Sequence, residues 1–156
     1  MKIRLICAGK TTDQYLIEGI DRYCKRLKHY ISFELIELPE VKGKSKTPEA
    51  VKEEEGKIFL SKIDRNDYVI LLDENGKLLT SVDFAESLQN KMNRSISSVA
   101  FIIGGPFGFS QSVYAVANEK LSLSKMTFSH QMIRLFFTEQ VYRAFTILRG
   151  EKYHHE

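Results

Sequence analysis

Two rhythms of apolar positions alternate along this chain. Short dense runs fall at Lys2 to Ala8, Phe33 to Leu38, Tyr68 to Leu72 and Val99 to Ile103. Between them, apolar residues return every three or four positions, as on one face of a helix. Val99 to Ile103 is apolar throughout and stops at Gly104-Gly105-Pro106. Such a run marks a strand buried on both faces, as in parallel sheets. Tyr68 to Leu72 reads the same way, closed by a turn at Asp73-Glu74-Asn75-Gly76. A first helix is expected over Asp13 to Tyr30, carrying Leu16, Ile20, Tyr23 and Leu27. Thr47-Pro48-Glu49 predicts a second, with a capping hydroxyl, a proline at the first helical position and an acid at the positive end. It should run to about Lys62. Ser81 is expected to cap a third, with Phe84, Leu88 and Met92 on one side. The order β-α-β-α-β-α-β predicts an α/β/α sandwich with a largely parallel sheet. No linker or repeat divides residues 1–156, so one domain is expected.

The last third of the chain follows another pattern. Ser110 should cap a helix running through Asn118. Alternating Leu121, Ser122, Leu123 and Ser124 suits a short strand in a segment, Leu121 to Phe128, that returns towards the sheet. Ser129 is placed to cap a final helix over His130 to Leu148. That helix is apolar on more than one face, through Met132, Ile133, Leu135, Phe136, Phe137, Val141 and Phe145. Burying each such side chain is worth about 1.5–3 kcal/mol, so a wet apolar face would be costly. A partner subunit is the simplest remedy, and an isologous homodimer is expected. Glu139 and Arg143 are four apart and should pair.

Composition narrows the function. With 43% hydrophobic and 28% charged residues, the chain falls among soluble globular proteins. No basic-then-apolar leader precedes the first strand, and charges at Arg134, Glu139 and Arg143 interrupt the most apolar helix. A cytoplasmic protein without a membrane span is expected. Cys7 and Cys24 are read as buried thiols rather than metal ligands, and no metal is expected. A net charge of +3 permits a nucleic-acid partner without requiring one. Arg22, Lys25, Arg26 and Lys28 form either a solvated helix face or a contact for RNA phosphates. The loop through Lys42, Lys44 and Lys46 is a second candidate contact.

The usual motifs for phosphoryl transfer, dinucleotide redox chemistry, serine-elbow hydrolysis and zinc hydrolysis are missing; the glycines at 104, 105 and 108 do not match G-x-G-x-x-G. What remains is a glycine pair at the end of a buried strand, where open α/β sheets bind ligands. A plain tight turn would need the same residues. The extended segment after Leu121 can read an adenine edge through its backbone, or serve as an ordinary edge strand.

Taken in order and spacing, these stretches resemble one family: Ile102-Ile103-Gly104-Gly105-Pro106-Phe107-Gly108, then Leu123-Ser124-Lys125-Met126-Thr127-Phe128 with His130, then Arg134, Glu139-Gln140 and Tyr142-Arg143-Ala144. The family is RlmH, small SPOUT-type methyltransferases acting on N3 of a pseudouridine in large-subunit ribosomal RNA. The resemblance covers essentially the whole chain, from Met1-Lys2-Ile3 to Tyr153-His154. It implies a C-terminal trefoil knot cradling S-adenosylmethionine, a homodimer, and 23S rRNA within the assembled ribosome as partner. The cofactor pocket it implies comprises Leu72, Gly104, Leu123, Ser124, Lys125, Met126, Thr127 and Phe128. Gly104 would leave room for the ligand. Arg143, Tyr153 and His154 would be the catalytic groups that grip the target base, with the tail completing the partner's pocket. His130 would hold the knot loop. Ser129 stands where members often have proline, and His155 where a basic residue is usual. The alternatives are a SPOUT enzyme acting on transfer RNA and a noncatalytic ribosome-associated binding protein.

Overall fold

The computed structural model describes residues 1–41 and 47–155, so the lysine loop from Lys42 to Lys46 lies outside the described residues. Elements follow in the order β1 (Lys2–Cys7), α1 (Gln14–Leu27), β2 (Ser32–Glu37), α2 (Pro48–Lys62), β3 (Asp67–Leu78), α3 (Ser81–Asn93), β4 (Ser98–Ile103), α4 (Gln111–Val116), β5 (Glu119–Ser122) and α5 (Met132–Leu148). The described strands form one sheet ordered β2-β1-β4-β3-β5, with every neighbouring pair parallel.

Alternation explains why the central strands are apolar throughout. Ile3, Leu5, Val99, Phe101 and Ile103 point into one core with Phe84 and Leu88 of α3 and Phe137 and Val141 of α5. Ile6, Ala100 and Ile102 point into the other, with Phe59 of α2 and Val113 of α4. Phe101 and Phe137 bring their ring centres within 4.7 Å, joining β4 to α5. The result is the expected three-layer sandwich.

Three local expectations change. Asp73–Gly76 does not end β3. The strand bulges there and returns to the same partner, so that Leu72 and Lys77 both lie opposite Leu121. Gly76 permits the crossing, because a Cβ on it would sit 2.5–2.7 Å from backbone atoms of Lys120 and Leu121. Thr80, rather than Ser81, caps α3. It accepts from the Asp83 N–H at 3.1 Å, while the Asp83 carboxylate accepts from Thr80 in return, closing a capping box. Ser81 instead donates to Gln140 on α5 at 2.8 Å. Finally, α4 stops at Val116 because Asn118 turns to the sheet, where its side chain accepts the Val69 N–H at 2.7 Å. Ser110 occupies the cap position of α4, but its hydroxyl pairs with Ser112 at 2.8 Å.

The start of α5 is fixed by a fully buried arginine. Arg134 donates to the carbonyls of Ala8 at 2.6 Å and Gly9 at 3.1 Å, to Thr11 Oγ1 at 3.0 Å and to the carbonyl of His130 at 3.0 Å. Its counter-charge is Glu37, 3.4 Å away at the end of β2. Gln131 adds a bond to the Lys10 carbonyl at 2.9 Å. The segment 123–131 is therefore strapped across the sheet end between β5 and the β1–α1 link. Together with the crossing at Gly76, this accords with the knot that the resemblance implies.

Replacing Arg134 by Met should lower stability by at least about 1–3 kcal/mol, because it strips the carbonyls of Ala8 and Gly9 of this donor, whereas Glu37 keeps Thr11. Urea denaturation of the variant checks this. A change within experimental error would show that the clip carries no weight.

Candidate active site

Three chain segments end together at the carboxyl edge of the sheet and enclose a cavity of about 690 Å³. Leu72–Asn75 is the bulge of β3, Ile103–Phe109 leaves β4, and Leu121–His130 leaves β5; Ile133 of α5 closes one side. Each wall follows from local sequence. Gly108 takes φ +79°, and its N–H donates to the Gly105 carbonyl at 3.1 Å, which folds Gly104–Gly108 into a tight turn. Ser122 donates its hydroxyl to the Ser124 carbonyl at 2.9 Å, and Ser124 accepts the Met126 N–H at 2.9 Å. These serines end β5 early by taking over backbone partners. Ser129 then caps the first turn towards α5, accepting the Met132 N–H at 3.0 Å.

Of the eight residues expected in a cofactor pocket, Leu72, Gly104, Leu123, Ser124, Met126, Thr127 and Phe128 line this cavity. Lys125 does not. Gly104 has a more immediate reason to be glycine than room for a ligand: a Cβ there would press on the Phe109 ring at 3.1 Å and the Gly108 carbonyl at 3.3 Å. Met126 is 76% exposed at the rim, and Phe128 packs on Phe136 of α5 at 5.0 Å between ring centres.

Two cavity groups escaped the sequence reading. Asp73, at the point where β3 bulges, accepts a hydrogen bond from the Tyr114 hydroxyl of α4. Burial first, and then that carboxylate, push the phenol up to about 12. An acid directly after an apolar strand was the available signal, but it read as part of a turn. The second is the state of His130. Burial and the nearby Arg134 hold its pKa below the usual 6.5, outweighing Glu40, so the imidazole is neutral at pH 7. A neutral ring at the cavity wall can accept a proton or a hydrogen bond.

Arg143, Tyr153 and His154 do come together, but away from this cavity. Glu139 organises them: its Oε1 accepts from Arg143 at 2.6 and 3.0 Å and from the Tyr153 hydroxyl at 3.1 Å. Arg143 reaches His154 Nδ1 at 3.4 Å and lies 4.8 Å from the centre of the Tyr153 ring. Burial, Tyr23 and Glu139 raise the Tyr153 pKa, so its phenol stays protonated. The expected Glu139–Arg143 pair is thus part of a larger polar cluster. Cys7 and Cys24 are free thiols pushed by burial up to about 12 and about 11, unreactive at neutral pH. Among the described residues, no helix is long and apolar enough to cross a membrane, and no group of three acidic, histidine or cysteine residues is placed to hold a metal ion.

The family model described as "Predicted SPOUT methyltransferase" matches residues 1–154. The chain belongs to the SPOUT methyltransferase family. Among curated relatives, ribosomal RNA large subunit methyltransferase H of Flavobacterium johnsoniae is 54% identical over the full length of both chains. The proteins of that name from Cytophaga hutchinsonii and Bacteroides fragilis are 52% and 53% identical, covering 99% and 100% of this chain and all of theirs. A probable methylase family protein from Haemophilus influenzae has a similar fold. Its TM-score is 0.56 at 12% identity, over 99% of this chain and 70% of its own. RlmH, the resemblance drawn from the motifs, is thus the group in which the relatives fall.

The lowered pKa of His130 sets a pH dependence. The unfolded chain takes up its proton near the usual 6.5, before the folded chain does. Stability should therefore be complete above about pH 6.5 and fall as pH drops below it. Urea denaturation from pH 7.5 to 5.5 should show this decline, reduced in His130→Gln.

Proposed function

We propose that this protein transfers a methyl group from S-adenosylmethionine to N3 of a pseudouridine in 23S rRNA, acting as a homodimer on the assembled ribosome in the cytoplasm. The observation that carries the reading is the cavity at the strand ends, walled by seven of the eight residues expected to hold the cofactor. Its volume is that of a site for a molecule of cofactor size. Its apolar walls suit an adenine ring, the backbone around Ser122–Ser124 offers polar partners for the ring edge, and Asp73 stands at the rim with a carboxylate suited to hydroxyl groups.

The bound sulfonium supplies an already activated methyl carbon, so the protein's work is alignment and charge management. With the sulfonium bound, the N–C bond made would replace the C–S bond broken, the sulfur would leave as the neutral thioether, and the N3 proton would pass to water. Arg143 offers a fixed positive charge for the anion that develops on the base. Tyr153, held protonated, does not serve as a base; its hydroxyl proton, given to Glu139 in the free protein, would turn to a carbonyl oxygen of the bound base. His154 lies beside Arg143 and shares that grip.

That cluster and the cavity do not meet within one chain, which supports a dimer in which the tail of one protomer faces the cavity of the other. The apolar surface around the cavity mouth supports the same arrangement: Phe107, Met126, Phe128 and Phe136 are 37–76% exposed. Sedimentation at micromolar concentration should give a dimer; a monomer would remove this reading of the tail.

The decisive experiment incubates the protein with intact ribosomes, free RNA hairpins and transfer RNA, and maps the methylated nucleotide by mass spectrometry. Methylation of pseudouridine on ribosomes alone is expected; a transfer-RNA product would redirect the assignment. His154→Ala should slow transfer by about a hundredfold or more while cofactor affinity stays within error. Equal loss of both would make His154 structural.

A further inference from the structure

Helix α2 carries an unexplained pair in its middle, Glu55-Gly56. Both residues are buried, although an acid rarely is and a glycine in a helix interior costs about 1 kcal/mol. The structure shows what they face. Glu55 is 8% exposed, and its carboxylate lies flat against Gly105, where a Cβ would meet its two oxygens at 2.5 and 2.7 Å. Its Oε2 is buried without a protein donor. Gly56 is as tightly fitted: a Cβ there would fall 2.2 Å from Ser110 Oγ. The Glu-Gly step of α2 is thus pressed onto Gly105 within the turn that walls the cavity and onto Ser110 just beyond it.

A carboxylate with a buried oxygen unpartnered is costly to stability, and such costs persist where function requires them. We propose that Glu55 is a positioning residue for the cofactor: its carboxylate seats Gly105 and holds the Gly104–Gly108 turn in the shape that accepts the ligand. Desolvation raises the Glu55 pKa, Glu40 adds to that, and the Gly105 N–H opposes both by favouring the charged form. The close packing of the carboxylate on Gly105 is the mechanical link: withdrawing it leaves space behind Gly105, and the turn can then move away from the cavity. The inference rests on reading that cavity as the cofactor pocket.

The test titrates S-adenosylmethionine and S-adenosylhomocysteine by calorimetry into wild type, Glu55→Ala, Glu55→Asp, Glu55→Gln and Gly104→Val. Hydrogen exchange of the 104–108 amides is followed in the unliganded proteins. Glu55→Ala should bind both ligands roughly tenfold or more weakly, the penalty expected when a buried polar group loses its partner. It should exchange faster at Gly105 and raise the KM for the methyl donor with little change in kcat. Glu55→Asp, which retracts the charge by one methylene, should move in the same direction and serves if the alanine variant does not fold. Glu55→Gln, which keeps shape and an acceptor oxygen, should restore most of the binding. Wild-type affinity in both Ala and Asp variants, or unchanged exchange at Gly105, would overturn the inference. So would a loss confined to the sulfonium ligand, since that would make Glu55 a counter-charge rather than a support. Failure of the pocket reading itself is distinguishable, because Gly104→Val would then bind as wild type does.

Discussion

The architecture depends on one buried guanidinium. Arg134 draws its hydrogen bonds from the ends of β1 and β2, the start of the β1–α1 link and its own helix turn. These elements are distant in sequence and meet only at the carboxyl edge of the sheet. A hydrophobic contact could fill the same space, but it would not fix direction. The planar fork satisfies several carbonyls at once and therefore specifies where α5 begins. Because α5 begins there, the preceding segment has no choice but to cross the strand ends, and the cavity exists under that crossing.

The same helix then carries chemistry to a second place. Ile133 at its start touches the cavity, while Arg143 lies ten residues on, about 15 Å along the axis at 1.5 Å per residue. No side-chain rotation spans that gap. Charged groups gathered by Glu139 near the end of α5, and an apolar rim near its start, are two complementary halves presented by one rigid rod. Two antiparallel copies of such a rod can place each half against the other's counterpart. Such an arrangement would cover Phe136, the exposed apolar side chain of α5, and would give a use to a tail rich in polar aromatic groups.

Much of this was legible in the sequence. The dense apolar runs gave the central strands, since burial on both faces leaves no polar alternation to misread. Thr47-Pro48-Glu49 gave α2 its start, and the Thr47 hydroxyl indeed accepts the Ala50 N–H. The misreadings share a cause: polar residues that look like local punctuation were answering to distant partners. Asp73–Gly76 read as a terminal turn, yet its glycine is dictated by the backbone of Leu121, 45 positions later. Asn118 looked helical but pairs with β3. Ser81 looked like a cap, but a neighbouring threonine with an acid three residues on makes the better box, leaving the serine to bridge to α5. Glu55 carried no visible signal, because an acid among acids on a helix gives no hint that it is buried.

The glycines show how the site is prepared. Gly104 is fitted to Phe109, Gly105 to Glu55, Gly56 to Ser110 and Gly76 to the backbone of β5. Each is dictated by the protein's own packing, so each constraint acts in the absence of any ligand. A cavity whose walls are set in this way is formed before the ligand arrives. Binding then has little loop ordering to offset, and affinity depends on how rigidly the turn is held rather than on how many contacts it makes. On that argument, the residues that matter most to a cofactor at this site include ones that never touch it.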